Sequence, residues 1–99
     1  PEEVQDLEDE IAGYQTRIGK FEKEIEVLEG EIEQHRLAKK DAEKLINKYK
    51  DQQMNVRNNR EYDAISKEIE LQNLEMELAD KRIGEANAKI SRKRDEIQD

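Results

Sequence analysis

The side chains in this chain that could do chemistry are one histidine and many carboxylates. His35 is the only histidine, and the chain has no cysteine. A metal site needs several neighbouring ligands and acid–base catalysis needs a second positioned group, and neither accompanies His35. A polar layer within a helix seam, where it could also set the register, is its expected role. We therefore expect no disulfide, no metal ion and no other cofactor in these residues.

The glutamate pairs, although numerous, do not have the form of a catalytic dyad. Solvated helix faces carry such runs routinely, and a raised carboxyl pKa requires a concave, desolvated pocket. The sequence also contains no glycine-rich phosphate loop and no Ser/His/Asp arrangement. We expect that the chain is not an enzyme.

The charge is unevenly distributed along the chain, whose net charge is −8. Residues 1–35 carry 12 acids and 3 bases, residues 36–60 carry 3 acids and 8 bases, and residues 61–99 carry 11 acids and 7 bases. The basic stretch from Arg36 to Arg60 could contact phosphates or could pair with an acidic second helix. Interleaved acids favour pairing, and the overall acidity argues against general attraction to nucleic acid.

The elements that must position these residues are long helices. With 44% charged and 33% hydrophobic residues, the composition alone fits either disorder or a helix with a narrow apolar seam. The order of the residues decides for the helix, because apolar residues recur at alternating steps of three and four over four heptads. These residues are Val4, Leu7, Ile11, Tyr14, Ile18, Phe21, Ile25, Leu28 and Ile32.

The heptad pattern weakens in the middle of the chain and then resumes. Polar residues occupy seam places at His35, Lys39 and Gln53, which predicts a slight rotation of the seam or a stutter. A second run starts at Tyr62. Between the runs, Asn58 and Glu61 have the form of a capping box, and asparagine tolerates left-handed backbone geometry. We predict a first helix at about 2–57, a turn at about 58–59 and a second helix at about 60–98.

An unbroken rod and a hairpin remain as alternatives for these helices. A parallel pair of rods would place the acidic residues 1–35 against the same residues of another copy. In a hairpin that turns near Asn58, the numbers of two facing residues add up to about 118. This register brings opposite charges together. The expected groups are Lys89, Arg92, Lys93 and Arg94 beside Glu24, Glu26 and Glu29, and Lys44, Lys48 and Lys50 beside Glu68, Glu70 and Glu75. We predict an all-α fold, a single long antiparallel coiled-coil helical hairpin.

Two further surfaces follow from the hairpin register. The seam from Val4 to Ile18 has no partner within the chain, which predicts self-association, most simply as a two-fold dimer. A second apolar stripe, Leu71, Leu74 and Leu78, falls at heptad places c, f and c. Either this stripe faces outward to a second partner, or a local register shift brings it into the seam.

The residues from Val56 to Glu70 resemble the hairpin tip of a bacterial family of coiled-coil proteins that end in a C4-type zinc ribbon. The similar steps are Arg60-Glu61-Tyr62, which opens the returning helix, and Glu68-Ile69-Glu70. The resemblance covers about fifteen residues and implies a zinc ribbon beyond Asp99 and a nucleic-acid-binding or transcription-related role. The four zinc-binding cysteines of that family are absent here, so zinc is expected only in a missing C-terminal region.

The sequence thus predicts a non-enzymatic adaptor arm, with a purely structural coiled-coil spacer or dimerisation rod as the alternative. Partner binding, to a protein or to RNA, is expected at Arg57, Asn59, Arg60, Leu71, Leu74 and Leu78. There is no long apolar run and no recognisable signal peptide, so we expect a cytoplasmic protein without membrane contact. The chain starts at Pro1 and lacks an initiator Met, and we expect it to be a piece of a longer protein.

Overall fold

The computed structural model describes residues 2–98, which form two helices. Helix α1 spans Glu2–Asn55 and helix α2 spans Asn59–Gln98. The molecule measures 87 Å along its long axis and 15 and 14 Å across. The 54 residues of α1 account for a length of about 81 Å, so α2 is folded back along α1. The prediction of an all-α antiparallel helical hairpin is confirmed, and an unbroken rod is excluded.

The core of the hairpin is a single seam between the two helices. Its most continuous part is a cluster in which Ile25, Leu28 and Ile32 of α1 pack against Ala86 and Ile90 of α2. Nearer the turn the seam is completed by Ala42, Ile46 and Ala79. Each helix buries only one stripe, and this is how a chain with few apolar residues folds without a globular core.

The register of the two helices agrees with the one deduced from the charge pattern. Contacting pairs have residue numbers whose sums run from 117 to 123, around the expected 118. The pairs are Lys39 with Asp80, Glu24 with Lys93, Glu29 with Arg94 and Gln53 with Ser66. The expected pairing of basic α2 residues with Glu24 and Glu29 is therefore present.

The second group of expected ion pairs does not form among residues 2–98. No carboxylate there lies within ion-pair distance of Lys44, Lys48 or Lys50. Two of these lysines, Lys44 and Lys48, occupy heptad places f and c, on the back of α1. A side chain at such a place points away from the partner helix, whereas those flanking the seam can reach across it. For Lys44 and Lys48, the predicted register along the two helices was correct, but the two lysines lie on the wrong face of α1 to reach the acids of α2.

The seam runs through its polar positions without a stutter. His35, Lys39 and Gln53 are each half-buried at their heptad places, and the steps of three and four continue to Val56. The expected rotation of the seam is therefore wrong. Lys39 keeps its place because its ammonium group reaches Asp80, at 2.6 Å, from the edge of the seam.

The turn differs in detail from the one expected. Helix α1 ends at Asn55, two residues earlier than the sequence indicated, and Val56, Arg57 and Asn58 form the link. The side-chain amide of Asn55 donates to the carbonyl oxygen of Asp51, at 3.3 Å. This local bond competes with continued helix. No residue between 2 and 98 has a positive φ angle, so the left-handed geometry that asparagine tolerates is not used.

Candidate partner-binding surfaces

The start of α2 is fixed by an asparagine cap. The Oδ1 of Asn58 accepts a hydrogen bond from the backbone N–H of Glu61 at 2.8 Å, and the N–H of Tyr62 donates to the carbonyl of Asn58 at 3.2 Å. The side chain of Asn58 satisfies a donor that the first turn of a helix otherwise leaves free, and the bond from Tyr62 is the first backbone bond of the helix. The predicted cap is thus present in its first half. It places Asn59 and Arg60 at the first exposed positions of α2.

A second contact across the turn was not foreseen from the sequence. The side-chain amide of Gln53 donates to the hydroxyl of Ser66 at 2.6 Å and to the carbonyl oxygen of Tyr62 at 3.1 Å. In the heptad pattern, Gln53 indicated only an interruption of the seam. The contact could have been predicted, because the amide of Gln53 occupies a seam place and the predicted register sets it opposite the hydroxyl of Ser66. Gln53 ties the last full turns of α1 to the beginning of α2.

The hairpin tip, defined here as Arg57, Asn59 and Arg60, is exposed. Within residues 2–98 no carboxylate lies within ion-pair distance of either arginine. Two guanidinium groups therefore project from the closed end of the hairpin, where helix pairing stops. Such a pair can bind carboxylate or phosphate oxygens in a bidentate manner.

The leucine stripe, defined as Leu71, Leu74 and Leu78, lies on the surface of α2. These side chains are 48%, 56% and 40% exposed, whereas the seam residues Ile69 and Met76 on the same helix are half-buried. The interpretation that a register shift brings the leucines into the seam is therefore wrong. The structure presents three leucines, spaced by three and four residues, on the face of α2 opposite its seam.

The overhang, defined as residues 4–18, is the part of α1 that extends beyond the end of α2. Its seam residues Val4, Leu7, Ile11 and Tyr14 are 51–59% exposed. The guanidinium of Arg17 lies over the ring of Tyr14, 5.2 Å from its centre. From Val4 to Ile11 the overhang has the heptad pattern of the core, but within residues 2–98 no helix lies against it. Ile18, at its end, is half-buried beside Ile97 of α2.

A groove bordered by lysines lies next to the overhang. It has a volume of about 410 Å³ and is lined by Lys20, Lys23, Glu24, Val27 and Leu28 of α1 and by Lys89 and Lys93 of α2. We call it the lysine groove. Val27 is 62% exposed, and the aliphatic stems of the lysines add to the apolar lining. This site was not predicted from the sequence, because it forms only where the back of α1 lies beside α2.

One of the four lysines is already engaged. Lys93 donates a hydrogen bond to Glu24, and its ammonium group lies 5.4 Å from the centre of the Phe21 ring. The hydrogen bond from Lys93 lowers the pKa of the Glu24 carboxyl, partial burial opposes this, and the charges of Lys93 and Lys20 add to the lowering. Among the described residues, no carboxylate lies within ion-pair distance of the other three groove lysines.

Other kinds of site were sought in the same residues. Between residues 2 and 98 no three histidine, cysteine or acidic side chains come together as a metal site would require. Neither of the two helices is both long enough and apolar enough to cross a membrane. His35 is half-buried at its seam place, as expected for a polar layer.

Comparison with protein-family models, curated proteins and solved structures found no match to this chain.

Proposed function

We propose that this chain is a non-enzymatic adaptor arm, a coiled-coil hairpin that binds a protein partner along the leucine stripe and the hairpin tip. The observation that carries the proposal is the exposure of Leu71, Leu74 and Leu78 on the back of α2. Three large apolar side chains in one row are poorly accommodated by water. Partner helices and helix-binding grooves recognise rows with this spacing.

The hairpin tip supplies the polar part of the same surface. Arg60 and Leu74 share heptad place f, fourteen residues apart, so their backbone positions are separated by about 21 Å along one face of α2. A partner of ordinary interface size spans that distance. An acidic residue on the partner would pair with Arg60 while its apolar residues cover the leucines.

The proposal includes self-association through the overhang. Val4, Leu7, Ile11 and Tyr14 have the spacing of core residues but lie in solvent. Taken by itself, the exposed overhang would favour the alternative function, a purely structural spacer or dimerisation rod. The two functions differ at the leucine stripe, because a spacer has no ligand there.

The resemblance to the zinc-ribbon family extends the proposal to a bacterial and cytoplasmic setting with a nucleic-acid-binding or transcription-related role. Zinc would then be held outside these residues. Arg57 and Arg60 support a contact with phosphate as well as with carboxylate. The leucine stripe favours protein over RNA, because RNA recognition relies on cationic and aromatic side chains rather than leucine.

The experiment is site-specific photocrosslinking in cells of the native host. A photoreactive residue is placed at 71, 74 or 78, and at Ala88 as the matched control, which shares place f with Leu74 and is exposed on the same helix. We expect one and the same protein adduct from the three stripe positions and none from position 88. Adducts that are equal at all four positions, or absent from all, would favour the spacer.

RNA binding is tested separately with the purified chain. Retention of cellular RNA that falls with added salt, and that is lost when Arg57 and Arg60 are changed to glutamine, would indicate phosphate recognition at the hairpin tip. If that outcome is observed and the leucine stripe gives no protein adduct, the ligand of the arm is RNA and not a protein.

A further inference from the structure

We infer that the lysine groove of one hairpin receives the overhang of a second copy of the same chain. This inference rests on the proposed self-association and adds to it the surface that accepts the overhang. The sequence pattern predicted only that the exposed seam would bind another copy of the chain. The charges and the groove point instead to two different surfaces that meet.

The charges beside the exposed seam argue against pairing of two overhangs with each other. At the flanking places e and g, the charged residues from residue 2 to residue 18 are Glu3, Glu8, Glu10 and Arg17. In an antiparallel pair, residues at g face g and residues at e face e, so Glu10 would face Glu10 of the other copy while Glu3 would face Arg17. The overhangs as a whole would still repel, because residues 2–18 carry six acids and one base. Like charges across such a seam are unfavourable. The helix that covers the overhang should therefore present bases.

The covered part of α1 shows how this chain meets the same requirement. Glu24 and Glu29 of α1 pair with Lys93 and Arg94 of α2. The segment of α2 from residue 81 to residue 94 contains six bases and one acid. At Glu24 and Glu29 the acidic flank of α1 is thus matched by bases of α2.

The lysine groove offers the overhang an apolar surface to cover its seam and positive charge to match its glutamates. Val27 and Leu28 form an apolar floor, and Lys20, Lys23 and Lys89 stand at the edges with no ion pair among the described residues. The seam from Val4 to Tyr14 is about 15 Å long, and the groove from Lys20 to Leu28 is about 12 Å long. The lengths match, and the charges are opposite.

The surface between the lysine groove and the overhang is also apolar. A larger and more enclosed cavity of about 660 Å³, lined by Tyr14, Ile18, Phe21 and Ile97 among others, lies where α2 ends beside α1. Apolar surface therefore extends from the overhang toward the lysine groove. Two copies related by a two-fold axis can each insert an overhang into the groove of the other, which closes the assembly as a dimer.

The experiment reverses the two charged surfaces separately in the 99-residue chain. The groove variant carries Lys20→Glu, Lys23→Glu and Lys89→Glu. The overhang variant carries Glu3→Lys, Glu8→Lys and Glu10→Lys. A control variant carries Lys40→Glu, Lys44→Glu and Lys50→Glu, three exposed lysines away from the groove with the same change in net charge. Circular dichroism checks that every variant remains helical.

Sedimentation equilibrium then measures the dimer dissociation constant. We expect the groove variant to dimerise at least about tenfold more weakly than the control variant, since three attractive contacts per groove become repulsive. The overhang variant should also be weakened. An equimolar mixture of the groove and overhang variants should form a mixed dimer, because each overhang then meets a groove of opposite charge.

The result that overturns the inference is a groove variant that dimerises as tightly as the control variant. If Ile11→Asp still abolishes dimerisation in that case, self-association through the overhang stands and its acceptor lies elsewhere. If the unaltered chain is a monomer at every concentration, self-association and the groove contact both fail.

Discussion

Gln53 and Ser66 are thirteen residues apart in the chain, yet the Nε2 of Gln53 lies 2.6 Å from the Oγ of Ser66. The same amide donates to the backbone carbonyl of Tyr62. This side chain joins the two helices just inside the turn, at a seam place of α1 that an amide occupies instead of an apolar residue. The hairpin is therefore closed by polar contacts at its tip and by apolar packing along its length.

The first prediction concerns this closure. Gln53→Ala removes both hydrogen bonds and leaves the half-buried Ser66 hydroxyl without its partner. We expect the free energy of unfolding to fall by about 1–2 kcal/mol, measured by urea denaturation at one fixed protein concentration. Gln52→Ala, one residue away on the exposed face and without a hydrogen bond of this kind, is the control. Equal effects from both variants would show that the contact does not hold the turn in solution.

The second prediction separates the leucine stripe from the seam. Changing Leu71, Leu74 and Leu78 together to glutamine should leave helicity unchanged and alter stability by no more than about 0.5 kcal/mol per site, because the side chains are already in solvent. Changing three seam residues of the same helix, Ile69, Met76 and Ile83, to glutamine should unfold the hairpin. Circular dichroism melts compare the two triple variants.

The stripe variant should at the same time lose the partner recognised in the crosslinking experiment. Unfolding of the stripe variant would instead assign the leucines to the core, and the proposed binding surface would fail.

The third prediction concerns the Glu24–Lys93 pair. The hydrogen bond from Lys93 holds the pKa of Glu24 below its ordinary value, so the folded chain binds this proton less tightly than the unfolded chain. The stabilising effect is thus fully present above the unfolded glutamate pKa of about 4.3 and is lost as the pH falls through the lowered folded pKa.

Carbon-detected NMR titration of the Glu24 carboxyl measures this pKa directly. Lys93→Met should raise it toward the ordinary value, whereas Lys89→Met, which removes another lysine of the same groove, should leave it nearly unchanged. A Glu24 pKa that does not respond to Lys93→Met would exclude the pair as the cause.

The fourth prediction concerns the overhang. Ile11→Asp places a charge in the exposed seam and should weaken self-association by at least about tenfold, since an unpaired charge would enter an apolar contact. Ala12→Asp, the adjacent residue off the seam, adds the same charge and should have a much smaller effect. Sedimentation equilibrium over a wide concentration range compares the two. Equal association constants would remove the overhang from the interface.

The features of the fold that could be deduced from the sequence are those set by periodicity and charge. The recurrence from Val4 to Ile32 predicts the seam, and the pairing of Glu24 with Lys93 follows from a turn near Asn58. The capping asparagine was also recognisable, because its chemistry is local. These features need only the spacing of residues along a helix.

The features that escaped prediction depend on which face of a helix meets its neighbour. Lys44 and Lys48 were expected to form ion pairs because their residue numbers match those of acids on α2, but they lie on the back of α1. Gln53 was taken for an interruption, although its amide has a specific acceptor on the opposite helix. The lysine groove combines residues from both helices, and no single stretch of sequence contains it.

The antiparallel register underlies every surface described above, and one distance measurement tests it most directly. Spin labels are attached to cysteines introduced at Lys48 and Glu70, which is straightforward because the chain has no cysteine of its own. A control pair at Glu26 and Lys48 has the same separation in sequence but lies wholly within α1. The hairpin predicts less than about 20 Å for 48 and 70, from neighbouring helix axes about 8–10 Å apart, and about 33 Å for the control pair. A distance near 33 Å for both pairs would mean an unbroken helix and would contradict the hairpin.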